Sequence, residues 1–154
     1  MSLRAKIISL KGLLKGLDAA DLAGDPIEQF LGWYRTARWA GLCLPDAVAL
    51  STVSPDGRPS TRIMLYKGVS ESGFRFYTNY NSRKGLELDE NPYAAMTFFW
   101  NELYRQVRIE GSASRMTHDE SNAYFQRRPR ASRLGAWASR QSREIPDRDV
   151  LKRK

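Results

Sequence analysis

The chain has 154 residues, 42% of them apolar, which is enough for one hydrophobic core but too few for two ordinary domains. Its single cysteine, Cys43, excludes an internal disulfide, and charges interrupt every apolar run before the roughly 20 residues that cross a bilayer. The net charge of +8 excludes no class of partner, since a basic surface can bind phosphate esters, bind nucleic acid or simply be solvated.

Residues 1–24 are predicted to form an N-terminal arm. Lysine and arginine residues lie among aliphatic residues there, and no acidic residue precedes Asp18. This pattern is typical of an amphipathic helix, which could cover the domain or act as a transit peptide. We favour a covering arm on a cytoplasmic protein and leave mitochondrial targeting open.

Residues 25–154 are predicted to form the one domain, which begins with a helix. Asp25 as the N-cap, Pro26 at the first helical position and Glu28 give a capping-box pattern. Gly41 is suited to end this helix because glycine tolerates the left-handed backbone conformation. We expect Cys43, which follows, to be a small packed residue.

The pattern then changes to short β-rich runs separated by turn residues. Strands are predicted over residues 47–53, 59–66, 74–78, 93–100 and 104–114, with a short helix over 82–89. Several antiparallel strands in so short a chain favour a small barrel, because closure removes exposed strand edges. The predicted fold class is therefore mainly β with helices.

The last third is predicted to be helical and is strongly basic. Thr117 and Glu120 form a second capping box, a helix is predicted over residues 132–138, and another opens after Asp147. Ten lysine or arginine residues lie from Arg127 to Lys154, against three acidic residues. This segment favours anions, whether as a ligand site or as a solvated surface.

Several short motifs follow one another along the chain in a defined order. They are Arg62-Ile63-Met64-Leu65-Tyr66-Lys67, Phe76-Tyr77-Thr78-Asn79, Ser82-Arg83-Lys84, Arg105-Gln106-Val107, Tyr124-Phe125 with Arg127-Arg128-Pro129, and Gly135-Ala136-Trp137 with Gln141-Ser142. In order and spacing this set closely resembles the pyridoxamine 5′-phosphate oxidase family. The resemblance implies an FMN-binding split barrel, assembled as a homodimer with the flavin between the subunits.

The resemblance also implies a cofactor site. Arg62, Arg83 and Lys84 match the positions that hold the FMN phosphate, which is close to doubly charged and requires fixed cations. Gln106 lies inside a strand pattern, where its amide either faces solvent or needs a buried partner such as a flavin edge. The complete implied set is Arg62, Ile63, Met64, Leu65, Tyr66, Lys67, Tyr77, Thr78, Arg83, Lys84, Gln106, Gln141 and Ser142.

A second phosphate site is implied for the substrate. Lys67, Tyr124, Arg128 and Ser132 match the positions that bind the phosphate of the B6 vitamer, and two cations with two hydroxyls suit a phosphate monoester. The implied reaction is oxidation of pyridoxamine or pyridoxine 5′-phosphate by O2 to pyridoxal 5′-phosphate and hydrogen peroxide, a step of vitamin B6 metabolism. We assign no catalytic side chain and no metal, because the flavin itself accepts the hydride.

The chain departs from the family pattern at both ends. Ile7-Ile8-Ser9 precede Lys11-Gly12-Leu13, where the family tends to have an arginine and a tyrosine, and the family's C-terminal tryptophan-rich strands and Arg-x-His motif have no counterpart. An alternative function is therefore an FMN-binding module without oxidase turnover. A third hypothesis is nucleic-acid binding by residues 127–154. No groove-reading motif or aromatic stacking platform is evident in the sequence, so we expect no nucleic-acid partner. We also expect no membrane partner.

Overall fold

The computed structural model describes residues 3–145, 147 and 149, without the side chains of residues 9 and 11–15. The helices are α1 (Leu3–Lys15), α2 (Pro26–Trp39), α3 (Arg83–Glu90), α4 (His118–Arg127) and α5 (Arg130–Ala138). The strands are β1 (Ala47–Val53), β2 (Pro59–Leu65), β3 (Val69–Ser70), β4 (Gly73–Phe74), β5 (Tyr93–Trp100) and β6 (Arg105–Ser112). The helix predicted after Asp147 falls almost entirely outside the described residues. Among the described helices, none has the length and apolar character that crossing a membrane requires.

Helix α2 forms where its sequence signals predict it. The Asp25 carboxylate accepts a hydrogen bond from the backbone N–H of Ile27, and Pro26 occupies the first turn. Beyond the cap residue Ala40, Gly41 has a φ of 72°, the left-handed conformation that ends many helices. The predicted start and end of this helix are both confirmed.

One antiparallel sheet organises the domain, with strand order β2-β1-β5-β6. The predicted hairpin pairs Ala47 with Leu65 and Val53 with Pro59, and β5 then pairs with the other side of β1 after α3 has crossed between them. The small strands β3 and β4 form a separate hairpin. This arrangement makes β2 and β6 the two edges of the main sheet.

Two predictions about the strands need correction. The strand predicted over residues 74–78 ends at Phe74, because beyond it only Arg75 exchanges backbone hydrogen bonds, with Lys67 and Gly68, before the chain turns toward α3. The sheet is also not closed into a barrel, since the edge strands β2 and β6 pair neither with each other nor with a further strand beyond β1 and β5 among the described residues. Both edge strands nevertheless line one cavity, so the sheet curls far enough for its edges to face each other.

The core lies between the inner face of this sheet and α2. Phe30 of α2 is 3% exposed, and its ring lies 4.9–6.1 Å from five other aromatic rings, measured between centroids. Those rings belong to Tyr34, Tyr66, Phe74, Phe98 and Trp100. Aromatic contacts of this kind stabilise a core beyond their area burial, and they anchor the residue that directly follows β2, Tyr66.

The N-terminal segment packs against the same core. Ala5 of α1 is buried, Ile8 lies against the core residues, and α1 contacts the short 3-10 turn Asn101–Leu103. The division into an arm over residues 1–24 and a domain over 25–154 stays a prediction. Cys43 is exposed, so the expectation that it packs in the interior is wrong.

Candidate functional site

A cavity of about 1530 Å³ opens where the curled sheet fails to close. Its wall combines both edge strands, the segment 72–80 that leads to α3, and the inner sides of α4 and α5. The predicted site residues that line it are Ile63, Met64, Leu65, Lys67, Tyr77, Thr78, Tyr124, Arg128 and Gln141. The structure thus brings predicted cofactor residues and predicted substrate residues to one cavity.

Two tyrosines connect these two groups directly. The rings of Tyr77 and Tyr124 are stacked, with centroids 3.5 Å apart and planes 4° from parallel. Beside them, Thr78 Oγ1 is buried and has no hydrogen-bond partner. A buried hydroxyl without a partner is unfavourable, so Thr78 is available to hydrogen-bond a molecule in the cavity.

Three basic side chains line the same cavity as the two tyrosines: Lys67, Arg75 and Arg128. Lys67 Nζ lies 3.6 Å from Asp46 Oδ2, and Arg128 is half-buried at the end of α4. Arg75 also lines the cavity, and its Nε is buried without a partner. The sequence analysis did not identify Arg75. The signal that could have found it is Gly68, whose φ of 122° favours glycine. A Cβ at residue 68 would lie 3.1 Å from Nη2 of Arg75, so the missing side chain leaves room for the guanidinium.

A second group of predicted residues surrounds the first turn of α3. Arg62 of β2 donates from Nη1 to the Leu50 carbonyl at 3.2 Å and to Thr52 Oγ1 at 2.6 Å. Its Nη2 donates to Ser60 Oγ at 2.7 Å and to Glu87 Oε2 at 3.3 Å. These bonds hold the guanidinium on the inner face of the sheet, beneath α3.

Arg83 and Lys84 reach the same place from α3. Arg83 donates from Nε to Glu87 Oε1 at 2.8 Å, while 60% of its side chain is exposed. Lys84 is 5% exposed and donates from Nζ to Ser82 Oγ at 3.1 Å and to Gln141 Oε1 at 3.2 Å. Burial lowers the pKa of Lys84, and the positive charge of Arg62 lowers it further.

Glu87 joins the cations into one cluster and was missed by the sequence reasoning. It is 4% exposed and accepts hydrogen bonds from Thr52, Ser60, Arg62 and Arg83. Burial would raise the pKa of its carboxyl group, but the hydrogen bonds and the charge of Arg83 lower this pKa to about 2. Glu87 is therefore ionised at neutral pH and neutralises part of the positive charge.

The cation cluster lies beside the large cavity and does not form its wall. Arg62 and Lys84 line neither this cavity nor a second, smaller one, but Gln141, which accepts from Lys84, lines the large one. Arg83 and Ser142 line a second cavity of about 380 Å³, together with Glu87. The three predicted phosphate ligands are thus gathered around Glu87, between the two cavities.

Three predicted residues lie apart from these groups. The Tyr66 ring is buried in the aromatic core, and the Ser132 side chain is half-buried on α5 without lining either cavity. Gln106 is exposed on the outer face of the sheet, opposite Phe99. Gln106 therefore takes the solvent-facing alternative in this structure. Whether these residues contact a ligand stays a prediction.

The sequence profile of the family described as pyridoxamine 5′-phosphate oxidase matches residues 40–154. The chain belongs to this family. A pyridoxine/pyridoxamine 5′-phosphate oxidase from Cupriavidus pinatubonensis is 54% identical over 142 residues, covering 92% of this chain and 67% of the relative. Another from Rubrobacter xylanophilus is 51% identical over 150 residues, covering 94% of this chain and 69% of the relative. The chain therefore spans about two thirds of the length of these members of the oxidase family.

Solved structures confirm the split-barrel fold class. PhzG from Burkholderia lata 383, in complex with tetrahydrophenazine-1-carboxylic acid, superposes with a TM-score of 0.85 at 32% identity over 90% of this chain and 70% of that one. An FMN-binding protein related to pyridoxamine 5′-phosphate oxidase, from Nostoc punctiforme, gives a TM-score of 0.64 at 22% identity over 85% of this chain and 73% of that one. At that identity the second likeness shows the fold alone.

Proposed function

We propose that this chain binds FMN and uses it to oxidise pyridoxamine or pyridoxine 5′-phosphate with O2, giving pyridoxal 5′-phosphate and hydrogen peroxide. The observation that carries the proposal is the shared cavity, which is lined by Lys67, Tyr77, Thr78, Tyr124 and Arg128 and lies beside the cation cluster around Glu87. Greater identity to the B6 oxidases (54%) than to PhzG (32%) favours a phosphorylated vitamer over a phenazine carboxylic acid as substrate.

The residues present fit FMN. Arg62, Arg83 and Lys84 would hold the phosphate, because two guanidinium groups and an ammonium group suit a dianion. The partnerless Thr78 Oγ1 would find a polar partner on the flavin. β2 is an edge strand, so one side of its backbone is open to hydrogen-bond a planar ring along Ile63 to Leu65.

The protein's task in this reaction is to position the substrate. Bound FMN would supply the hydride acceptor and pass the electrons to O2. Lys67 and Arg128 would hold the vitamer phosphate, and Tyr124 would add a hydroxyl, which fixes the reacting carbon of the vitamer relative to the flavin. Two bound anions would also account for part of the net charge of +8 that the chain carries.

We propose further that a second copy of the chain covers the outer face of the sheet. Ile63 and Phe99 are 67% and 65% exposed there, and small residues such as Ala47 and Ala49 between them leave a flat apolar surface. An exposed apolar patch of this kind is typical of an interface. Gln106 lies on the same face, so dimerisation would bring it into a buried site.

Phe99→Glu is expected to convert a dimer into a 17.6 kDa monomer and to weaken FMN retention, because a charge on the patch would have to be buried. Light scattering coupled to gel filtration measures the mass, and flavin absorbance measures retention. Leu22→Glu, at an exposed leucine outside the sheet, is the matched control and should remain dimeric. A monomeric wild-type protein would contradict the proposed interface.

The oxidase proposal predicts a yellow protein whose flavin absorbance bleaches when pyridoxamine 5′-phosphate is added without oxygen. Admitting air should restore the absorbance and produce hydrogen peroxide. Pyridoxamine without phosphate is the control, and it should bleach the flavin far more slowly because Lys67 and Arg128 lose their ligand. A yellow protein that neither vitamer phosphate bleaches would support the alternative, an FMN-binding module without turnover. A colourless protein with salt-sensitive nucleic-acid binding would reject both.

A further inference from the structure

The three positive charges of the cation cluster need a negative charge among them to remain close together. Arg62, Arg83 and Lys84 converge under the first turn of α3, and two of them are held on the sheet side of the helix with little solvent. Like charges that are grouped around one carboxylate repel each other strongly where water is scarce. Glu87 is the one acidic side chain among the described residues that contacts both arginines.

We propose that Glu87 is the positioning residue for the FMN phosphate, a buried carboxylate that aims the neighbouring arginines at the ligand. The inference rests on the proposed binding of FMN. It assigns a role to a residue that would not itself touch the cofactor and that acts through Arg83 and Arg62.

The hydrogen-bond donors of Arg83 support this role. Arginine has five N–H groups, one on Nε and four on the terminal nitrogens. Glu87 takes the Nε–H of Arg83, and no hydrogen bond to the described residues occupies its terminal nitrogens. The terminal fork, which matches paired phosphate oxygens, is thereby left open and its direction is fixed.

Arg62 is fixed in a different way. Its terminal nitrogens donate to Leu50, Thr52, Ser60 and Glu87, which leaves only its Nε–H for a ligand. Arg62 therefore contributes charge and a single donor from a clamped position. The carboxylate of Glu87 links the clamped arginine to the open one, so both keep a constant separation.

The charges of the cluster also match the ligand. Three cations and one carboxylate leave a net charge of +2 (3 − 1 = 2) around Glu87. A phosphate monoester carries about −1.5 to −2 near neutral pH. Repulsion between Glu87 and the phosphate is limited, because the charge of the carboxylate is offset by the hydrogen bonds from Thr52 and Ser60 and by its two arginine partners.

Glu87→Gln tests the proposal, with FMN and riboflavin as the two ligands of the apoprotein. The variant keeps the shape of the side chain but loses the charge that orients Arg83. We expect its dissociation constant for FMN to rise about tenfold, as for a weakened charge-assisted hydrogen bond, while that for riboflavin stays unchanged. Quenching of flavin fluorescence measures both constants. Glu28→Gln, at an exposed carboxylate of α2 that lines neither cavity, is the matched control and should leave both unchanged.

A double-mutant cycle with Arg83→Lys separates positioning from a general structural role. Lysine lacks both the Nε–H and the fork, so Glu87→Gln should add little further loss of FMN affinity in that background. Additive losses would overturn the proposal. If Glu87→Gln does not fold, Ser60→Ala decides, although it removes both a donor to Glu87 and an acceptor for Arg62. It should weaken FMN about threefold, spare riboflavin and add little further loss in the Arg83→Lys background, because an effect through Arg62 alone would persist there.

The outcomes for wild type and variant distinguish two failures. A wild-type protein that binds neither flavin rejects the proposed function and this inference with it. A wild-type protein that prefers FMN to riboflavin, with the same preference in Glu87→Gln or in Ser60→Ala, overturns only the role of Glu87. Tighter FMN binding by Glu87→Gln would also overturn it, since Glu87 would then compete with the phosphate.

Discussion

Gly85→Ala is expected to destabilise the protein by about 3 kcal/mol or more and to abolish FMN retention. A Cβ at residue 85 would lie 2.1 Å from the carbonyl oxygen of Tyr80 and 2.9 Å from that of Asn79. Both are backbone atoms, so the first turn of α3 must move away from the loop 79–80. That movement displaces Lys84 relative to Thr78. Urea denaturation measures the stability, and flavin absorbance after gel filtration measures retention.

Gly32→Ala provides the matched control for this substitution. Gly32 lies in α2, and a Cβ there would meet no atom within 4 Å. Alanine has the higher helix propensity, so this variant should be up to about 1 kcal/mol more stable and should bind FMN normally. Wild-type FMN affinity in Gly85→Ala would show that the close packing of α3 on the loop is not needed for the site.

The sequence predicts those elements that local signals determine. The start of α2 at Asp25-Pro26 and the capping box of Thr117 with Glu120 both form as predicted, because the capping groups lie within four residues of each other. The hairpin of β1 and β2 forms for the same reason, since its turn residues lie between the strands. The predicted strand 93–100 matches β5 residue for residue.

The mistaken strand at residues 74–78 shows where local signals end. The alternation of Phe74 and Phe76 is that of a strand, and both rings pack against the core. A strand also needs a neighbour to hydrogen-bond with, and the antiparallel neighbour, which runs from Val69 back to Lys67, makes no backbone hydrogen bond with a described residue beyond Arg75. Tertiary context decides this point, which periodicity does not report.

The site shows the same division between local and long-range information. Arg83 and Lys84 adjoin in sequence, so a motif can suggest them together. Glu87 escaped notice because an arginine and a glutamate four residues apart are common on solvent-exposed helix surfaces. Its burial results from Thr52 and Ser60, which β1 and β2 bring beneath the helix from 35 and 27 residues away in sequence.

Lys84→Met should weaken FMN binding about 30-fold, which corresponds to the roughly 2 kcal/mol of a hydrogen bond to a charged group. Methionine fills the same buried space, so the loss reports the charge and the N–H donors. Riboflavin affinity should be unchanged because riboflavin has no phosphate. Lys6→Met, at an exposed lysine of α1, makes the same change in net charge and should leave both affinities unchanged. Equal losses for FMN and riboflavin would show that Lys84 acts on the ring and not on the phosphate.

Lys84 should also give FMN binding a dependence on alkaline pH. Burial holds the pKa of its ammonium group below the ordinary lysine value, and a bound phosphate dianion would raise that pKa again. FMN affinity is therefore highest below the lowered pKa that Lys84 has in the apoprotein. It falls as the pH rises through that pKa, because binding then takes up a proton.

The free energy of unfolding of the apoprotein should rise over the same pH range. The lysine of the unfolded chain keeps its proton to higher pH, so the unfolded state binds more protons than the folded state. Titrations of FMN affinity and of urea stability against pH measure the two trends, and each trend is the difference between wild type and Lys84→Met. Parallel pH profiles for the two proteins would mean that Lys84 does not titrate with cofactor binding.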